Sequence, residues 1–243
     1  MTKVAVVFSG RNGLDLAALR GSVLRIPEVT MRLREAQNIL DNLAEFPSVD
    51  LLSLLISDNE HFFRNIQLKG LVAAIVQVAL FDRYLRTQAR PQFLVGNSNG
   101  DSAMLVCSGR QSFREMVRNS PAVTANRTLS SEVVVPLETA SLPVLSGLSL
   151  TEYQALQGKA TEQEFTYVAV PGDSMELRKL IASLFLEQGL SRFVNVGPSS
   201  ALVESDYREI GDGEIEAIDS IELDPLLGWF WGCHHTQPLR LAQ

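Results

Sequence analysis

Pro91-Gln92-Phe93-Leu94-Val95-Gly96-Asn97-Ser98-Asn99-Gly100-Asp101-Ser102-Ala103-Met104-Leu105-Val106-Cys107-Ser108-Gly109 holds a strand, a sharp turn and a helix in succession. Gln92 to Gly96 is the short apolar run of a buried strand. A helix is expected from about Asp101 to Ser108, ended by Gly109 at the position that favours a left-handed residue. Between them, Gly96-Asn97-Ser98-Asn99-Gly100 fits the G-x-S-x-G pattern of a nucleophile elbow. A strand that turns at once into a helix forces its central residue into strained backbone angles, with the hydroxyl of Ser98 outward. Side chains two residues either side would collide, so both positions are Gly. The helix start offers free N–H groups, Asn99 first, and a positive dipole end to a developing oxyanion. The same glycines also suit a plain strand–helix turn in which Ser98 only caps the helix. The pattern alone leaves both readings open.

Outward from this stretch, strand-like apolar runs alternate with helix-like segments, the pattern of a mainly parallel sheet with flanking helices. Val4 to Phe8 reads as the first strand, followed by the turn Ser9-Gly10-Arg11-Asn12-Gly13. Residues 14–56 carry two or three helices broken near Pro27 and Pro47. Ile66 to Leu85 reads as a long helix that buries Leu71, Val72, Ile75, Val76, Ala79 and Leu80. Ser112 to Glu115 is a capping box opening a helix that ends before Pro121. Thr124 to Ser131 reads as polar and irregular. Val133 to Pro136 and Pro143 to Ser146 are strand candidates. Asp173 to Glu176 is a second capping box, opening a helix that closes at Gly189. Arg192 to Val196 is a strand before Gly197-Pro198, and Glu214 to Ile218 a last edge strand. The tail from Trp229 to Gln243 is expected to pack on the surface.

At 243 residues, 46% hydrophobic and 20% charged, the chain suits one packed α/β domain spanning 1–243. The opening apolar run is too short for a signal peptide, and the longest one, Leu71 to Phe81, is too short to span a bilayer. No membrane association and a cytoplasmic location are therefore expected. A net charge of −7, from 28 acidic and 21 basic residues, argues against nucleic acid, whose phosphates demand a concentrated basic face. Cys107 and Cys233 lie far apart in no metal-like spacing, so reduced thiols and no metal site are expected. The only histidines are His61, His234 and His235.

Four segments, in order, resemble the malonyl-CoA:acyl-carrier-protein transacylases and the acyltransferase domains of polyketide synthases. Val4 to Gly10 is similar to that family's first strand and glycine loop. Asn65-Ile66-Gln67 and the helix to Leu85 are similar to its Thr-Gln-Pro helix. Pro91 to Gly109 resembles its Gly-His-Ser-Leu-Gly-Glu elbow, and Arg192 to Ser199 its Glu-Val-Gly-Pro-Gly strand and turn. The resemblance implies an α/β-hydrolase-like large lobe in which Ser98 attacks an acyl thioester and forms an acyl-enzyme. It also implies no permanently bound cofactor, with a phosphopantetheine thioester of CoA or carrier protein as substrate. The implied partner is an acyl-carrier protein or synthase component. Gly10, Arg11, Gln67, Asn97 and Asn99 then fall at the oxyanion and substrate side of the site.

The chain departs from that family at several points. Asn97 stands where the family has His, and Arg11 where it has Gln. The family's carboxylate-binding Arg falls near Val123. The segment that normally delivers the catalytic His, matched by Val133 to Glu138, places Glu138 there. Only Thr124 to Glu132 is left for the small ferredoxin-like subdomain, so the chain is read as the large lobe alone, with a face open to a homodimer.

Glu138 as base requires burial to raise its pKa; a solvated loop Glu is the plainer reading. His234 and His235 sit in the tail, and Asp101 suffices as a helix-start residue. Arg11 suits a carboxylate or phosphate, or else pairs with Asp15. Arg114 and Arg118, four apart, suit an acidic carrier protein or a solvated helix face. Three functions follow. One is an acyltransferase or acyl-thioester hydrolase of fatty-acid or polyketide metabolism working through acyl-Ser98. The alternative is a catalytically inactive acyltransferase-fold scaffold that binds a carrier protein or synthase partner. An unrelated esterase is the weakest, since only the terminal histidines follow the elbow.

Overall fold

The computed structural model describes residues 3–8, 23–43, 49–56, 65–97, 101–128, 166–170, 174–197, 207, 210 and 214–224. Five strands form one sheet: β1 (Val4–Phe8), β2 (Phe93–Asn97), β3 (Thr166–Val170), β4 (Arg192–Val196) and β5 (Glu216–Asp219). Every ladder is parallel, in the order β3-β2-β1-β4-β5. Parallel strands need covered crossovers, so the apolar runs of β1 and β4 are buried on both faces.

Strand alternation divides the core in two. Val6, Phe8, Leu94, Val194 and Val196 point to one face and join a large cluster. Helices α1 (Pro27–Asp41), α2 (Leu51–Ile56) and α3 (Ile66–Thr87) contribute to that cluster, as do α4 (Asp101–Cys107), α5 (Phe113–Arg118) and α6 (Pro121–Thr128). Ala5, Val7, Phe93, Val95 and Phe193 point the other way, onto Leu177, Ile181 and Leu184 of α7 (Ser174–Gln188). Each large apolar side chain fully buried here contributes on the order of 1.5–3 kcal/mol.

The long apolar segment is a buried helix, as its length requires. Helix α3 has 22 residues, and Leu71 to Phe81 is buried throughout. Asn65 caps it, its side chain accepting from the Leu68 N–H at 3.0 Å. Ser112 and Glu115 form the expected capping box of α5. Gly109 and Gly189 end their helices at φ +74 and +63.

Three features differ from the expectations. Thr124 to Thr128 is not irregular: it continues α6, which opens on Pro121 at its first turn and is anchored by buried Ala122 and Val123. The rest of that stretch lies outside the described residues, as do the strand candidates at 133–136 and 143–146. Strand β3 was not anticipated at all, yet it forms the sheet edge beside β2. The last strand also runs slightly later than expected, over Glu216–Asp219.

A one-turn helix, α8 (Ser220–Leu223), follows β5 and is tied to α3. Arg83 Nε pairs with Asp224 Oδ2 at 2.5 Å, and Gln88 Nε2 donates to the Leu223 carbonyl at 2.9 Å. Glu28, 4% exposed, accepts from Arg86 at 2.8 Å and lies 3.5 Å from Arg83. Among the described residues no helix is long and apolar enough to cross a membrane.

Candidate active site

All five strands being parallel, their C-terminal ends share one edge of the sheet. Phe8 of β1 stands opposite Gly96 on one side and Val196 on the other. Asn97 ends β2 opposite Val170, the last residue of β3. The segments leaving β1, β2, β3 and β4 therefore start side by side. Strand order reverses between β1 and β4, and in open α/β sheets ligands bind outside the carboxyl ends at such a reversal.

Three residues, Ser98, Asn99 and Gly100, separate the end of β2 from the start of α4 at Asp101. A strand followed within three residues by a helix is the spacing a nucleophile elbow requires. Ala103 and Met104 of α4 are fully buried against the core, so the helix packs down from its first turn. The sequence provides this packing by placing a small and an apolar residue, Ala103 and Met104, in the first turn of α4.

The predicted site residues fall unevenly. Ser98, Asn99, Gly10, Arg11 and Glu138 lie outside the described residues, as do His61, His234 and His235. Asn97 is the last residue of β2. Gln67 is exposed in the first turn of α3. Val123, where the resemblance places an arginine, is 2% exposed and packs with Met116, Val117 and Ala122 in the core. Arg114 and Arg118 are exposed on α5.

Two polar residues at the same edge escaped the sequence reading. Asn195 in β4 is 1% exposed, and its Nδ2 donates to Asp219 Oδ1 at 2.7 Å. Burial pushes the Asp219 carboxyl pKa up, and the Asn195 hydrogen bond partly opposes it. The available signal was an amide inside the otherwise apolar run Phe193-Val194-Asn195-Val196. Cys107 is half-buried, and burial raises its thiol pKa well above the ordinary value, with Asp82 adding to the rise. It is therefore a poor nucleophile at neutral pH. Among the described residues no group of three His, Cys, Asp or Glu side chains is placed to hold a metal ion.

No protein-family model matches the chain, and no curated protein sequence matches it. Solved structures do. The acyl-carrier-protein S-malonyltransferase of Burkholderia pseudomallei 1710b is similar at 16% identity and TM-score 0.54, over 93% of this chain and 100% of its own. The malonyl CoA-acyl carrier protein transacylase of Clostridium perfringens gives 13% and 0.58, over 96% and 99%. The MCAT of Streptococcus pneumoniae gives 15% and 0.59, over 93% and 100%. A type II polyketide synthase acyl-carrier protein in complex with its malonyl-transacylase, PlMCAT:AntF, contains a chain similar at 16% and 0.52, over 90% and 95%. At these identities the likeness is one of fold: this chain has the α/β fold of the malonyl-CoA:acyl-carrier-protein transacylases.

Proposed function

We propose that the chain handles acyl thioesters of CoA or an acyl-carrier protein through an acyl-Ser98 intermediate. The observation that carries this reading is that only Ser98, Asn99 and Gly100 separate the end of β2 from the start of α4, at the carboxyl edge of a parallel sheet.

In the first step the Ser98 hydroxyl oxygen bonds to the thioester carbonyl carbon and the carbon–sulfur bond breaks. The hydroxyl proton leaves through a base, for which Glu138 is the candidate, and ends on the departing thiol. The Asn99 N–H stabilises the oxyanion formed on the way. In the second step a thiol or water attacks the acyl-Ser98 carbonyl and returns the proton to Ser98. No cofactor is consumed.

Val123 argues for the class of acyl group. A buried valine cannot pair with a carboxylate, and a buried unpaired charge is costly. Val123 thus offers a malonyl-type carboxylate no partner at that position, which favours a neutral acyl group. The partner is an acyl-carrier protein or synthase component, a reading that draws on the carrier complex among the structural neighbours.

The second reading, an inactive scaffold for a carrier protein, is favoured by Asn97 at the position where the resemblance expects His. Two assays separate them. Free thiol release from acetyl-, hexanoyl- and malonyl-CoA supports the enzyme if it is lost in Ser98→Ala and prefers the neutral acyl groups at least about tenfold. Carrier-protein binding by calorimetry that survives Ser98→Ala, with no thiol release by the wild type, supports the scaffold.

A further inference from the structure

We propose that Asp219 is a positioning residue of the candidate site, holding Asn195 and through it the carboxyl end of β4. The proposal rests on the acyl-transfer reading of the sheet's carboxyl edge, and its geometry is independent of that reading.

A primary amide buried in an apolar strand is costly unless its donors are matched. Asn195 is such an amide, and the Asp219 carboxylate directly opposite it in the β4–β5 ladder supplies an acceptor at 2.7 Å. Charge on the acceptor makes this a stronger bond than one between neutral groups. Asp219 also occupies the N-cap position of α8, where an Asp commonly accepts from the helix's own N–H groups; here it makes no such bond. Its carboxylate is committed sideways to Asn195 instead.

The segment that carries Asp219 is anchored from behind. Asp224 is held by Arg83, and the Leu223 carbonyl by Gln88, both from the end of α3. The anchored carboxylate fixes Asn195, two residues before the buried Gly197 and next to Val196, which faces Phe8 of β1. The clamp thus braces β4 from its β5 side, one strand beyond the β1–β4 reversal and at the same carboxyl edge of the sheet as the end of β2.

A positioning role predicts a loss in maximal rate rather than in substrate affinity, since misplacement by about 1 Å costs up to ~100-fold in rate. Ser98 acylation by hexanoyl-CoA is measured across substrate concentration for wild type, Asp219→Ala, Asp219→Asn and Asn195→Thr. The clamp predicts a maximal rate lowered by about 10- to 100-fold in Asp219→Ala and Asn195→Thr, with half-saturation unchanged within about threefold. Asp219→Asn, which keeps the acceptor oxygen, restores the rate. Wild-type rates in Asp219→Ala overturn the proposal. If the wild type takes up no acyl group, the acyl-transfer reading fails, and deuterium uptake of the peptide Phe193–Gly197 decides the clamp. Faster uptake in Asp219→Ala, reversed in Asp219→Asn, upholds it, and unchanged uptake overturns it.

Discussion

Arg83, near the end of α3, holds the carboxylate of Asp224, 141 residues further along the chain, at 2.5 Å. Asp224 is 1% exposed, and its pairing raises the Arg83 pKa. Together with Gln88 on the Leu223 carbonyl, the pair fastens the last described helical turn to the longest helix. It connects the sheet edge that carries Asp219 to the core around α3.

Removing one member of a buried pair is far costlier than never having built it. Arg83→Met is therefore expected to destabilise the fold by about 3 kcal/mol, read from urea unfolding of the variant and the wild type. A loss below about 1 kcal/mol would show that the pair is solvated in the native state.

Asp219 makes stability depend on pH. Its folded-state pKa lies above the ordinary carboxylate value because of burial, so the native state keeps the proton longer than the unfolded chain does. Its contribution is therefore most favourable below the ordinary Asp value, and it falls as pH rises through the folded pKa. Asp219→Asn removes this dependence. Unfolding free energies across about pH 3.5 to 7 should show the wild type losing ground to the variant as pH increases. A constant difference would contradict the assignment.

Gly109 and Gly189 adopt positive φ, with no atom within 4 Å of where a Cβ would stand. Alanine at either position therefore costs only its backbone strain, about 1 kcal/mol. Gly109→Asn should cost less, because Asn tolerates the left-handed region. Thermal unfolding of the three variants orders them.

How Cys107 responds to alkylation follows from its raised thiol pKa. In the native protein at pH 8 it should react with iodoacetamide at least about tenfold more slowly than in urea, as the thiolate is the reactive form. Peptide mapping of the labelled protein reads the site directly. Equal rates would mean that the thiol is open to solvent.

Much of this fold was written locally. The apolar runs of β1, β2 and β4, and the eleven-residue apolar stretch inside α3, declare themselves because burial on both sides removes alternation. Strand β3 did not, since Thr166–Val170 competes with equally apolar runs before it, and only pairing with β2 selects it. Helix α6 was hidden by its polar residues; among its described side chains Ala122 and Val123 are the buried ones that anchor it. The glycine spacing around Ser98 is a local signature and could be read from the sequence, while Ser98 itself lies outside the described residues. Asn195 with Asp219, and Arg83 with Asp224, depend on strand register and on segments 24 and 141 residues apart, which no local pattern records.

The most direct test of the central claim is intact-protein mass spectrometry after incubation with acetyl-, hexanoyl- and malonyl-CoA and with acyl-carrier thioesters, using Ser98→Ala as control. An acyl-Ser98 intermediate gives a single acyl mass gain from the neutral donors that disappears in the variant. No gain from any donor, or a gain that persists in Ser98→Ala, would contradict it.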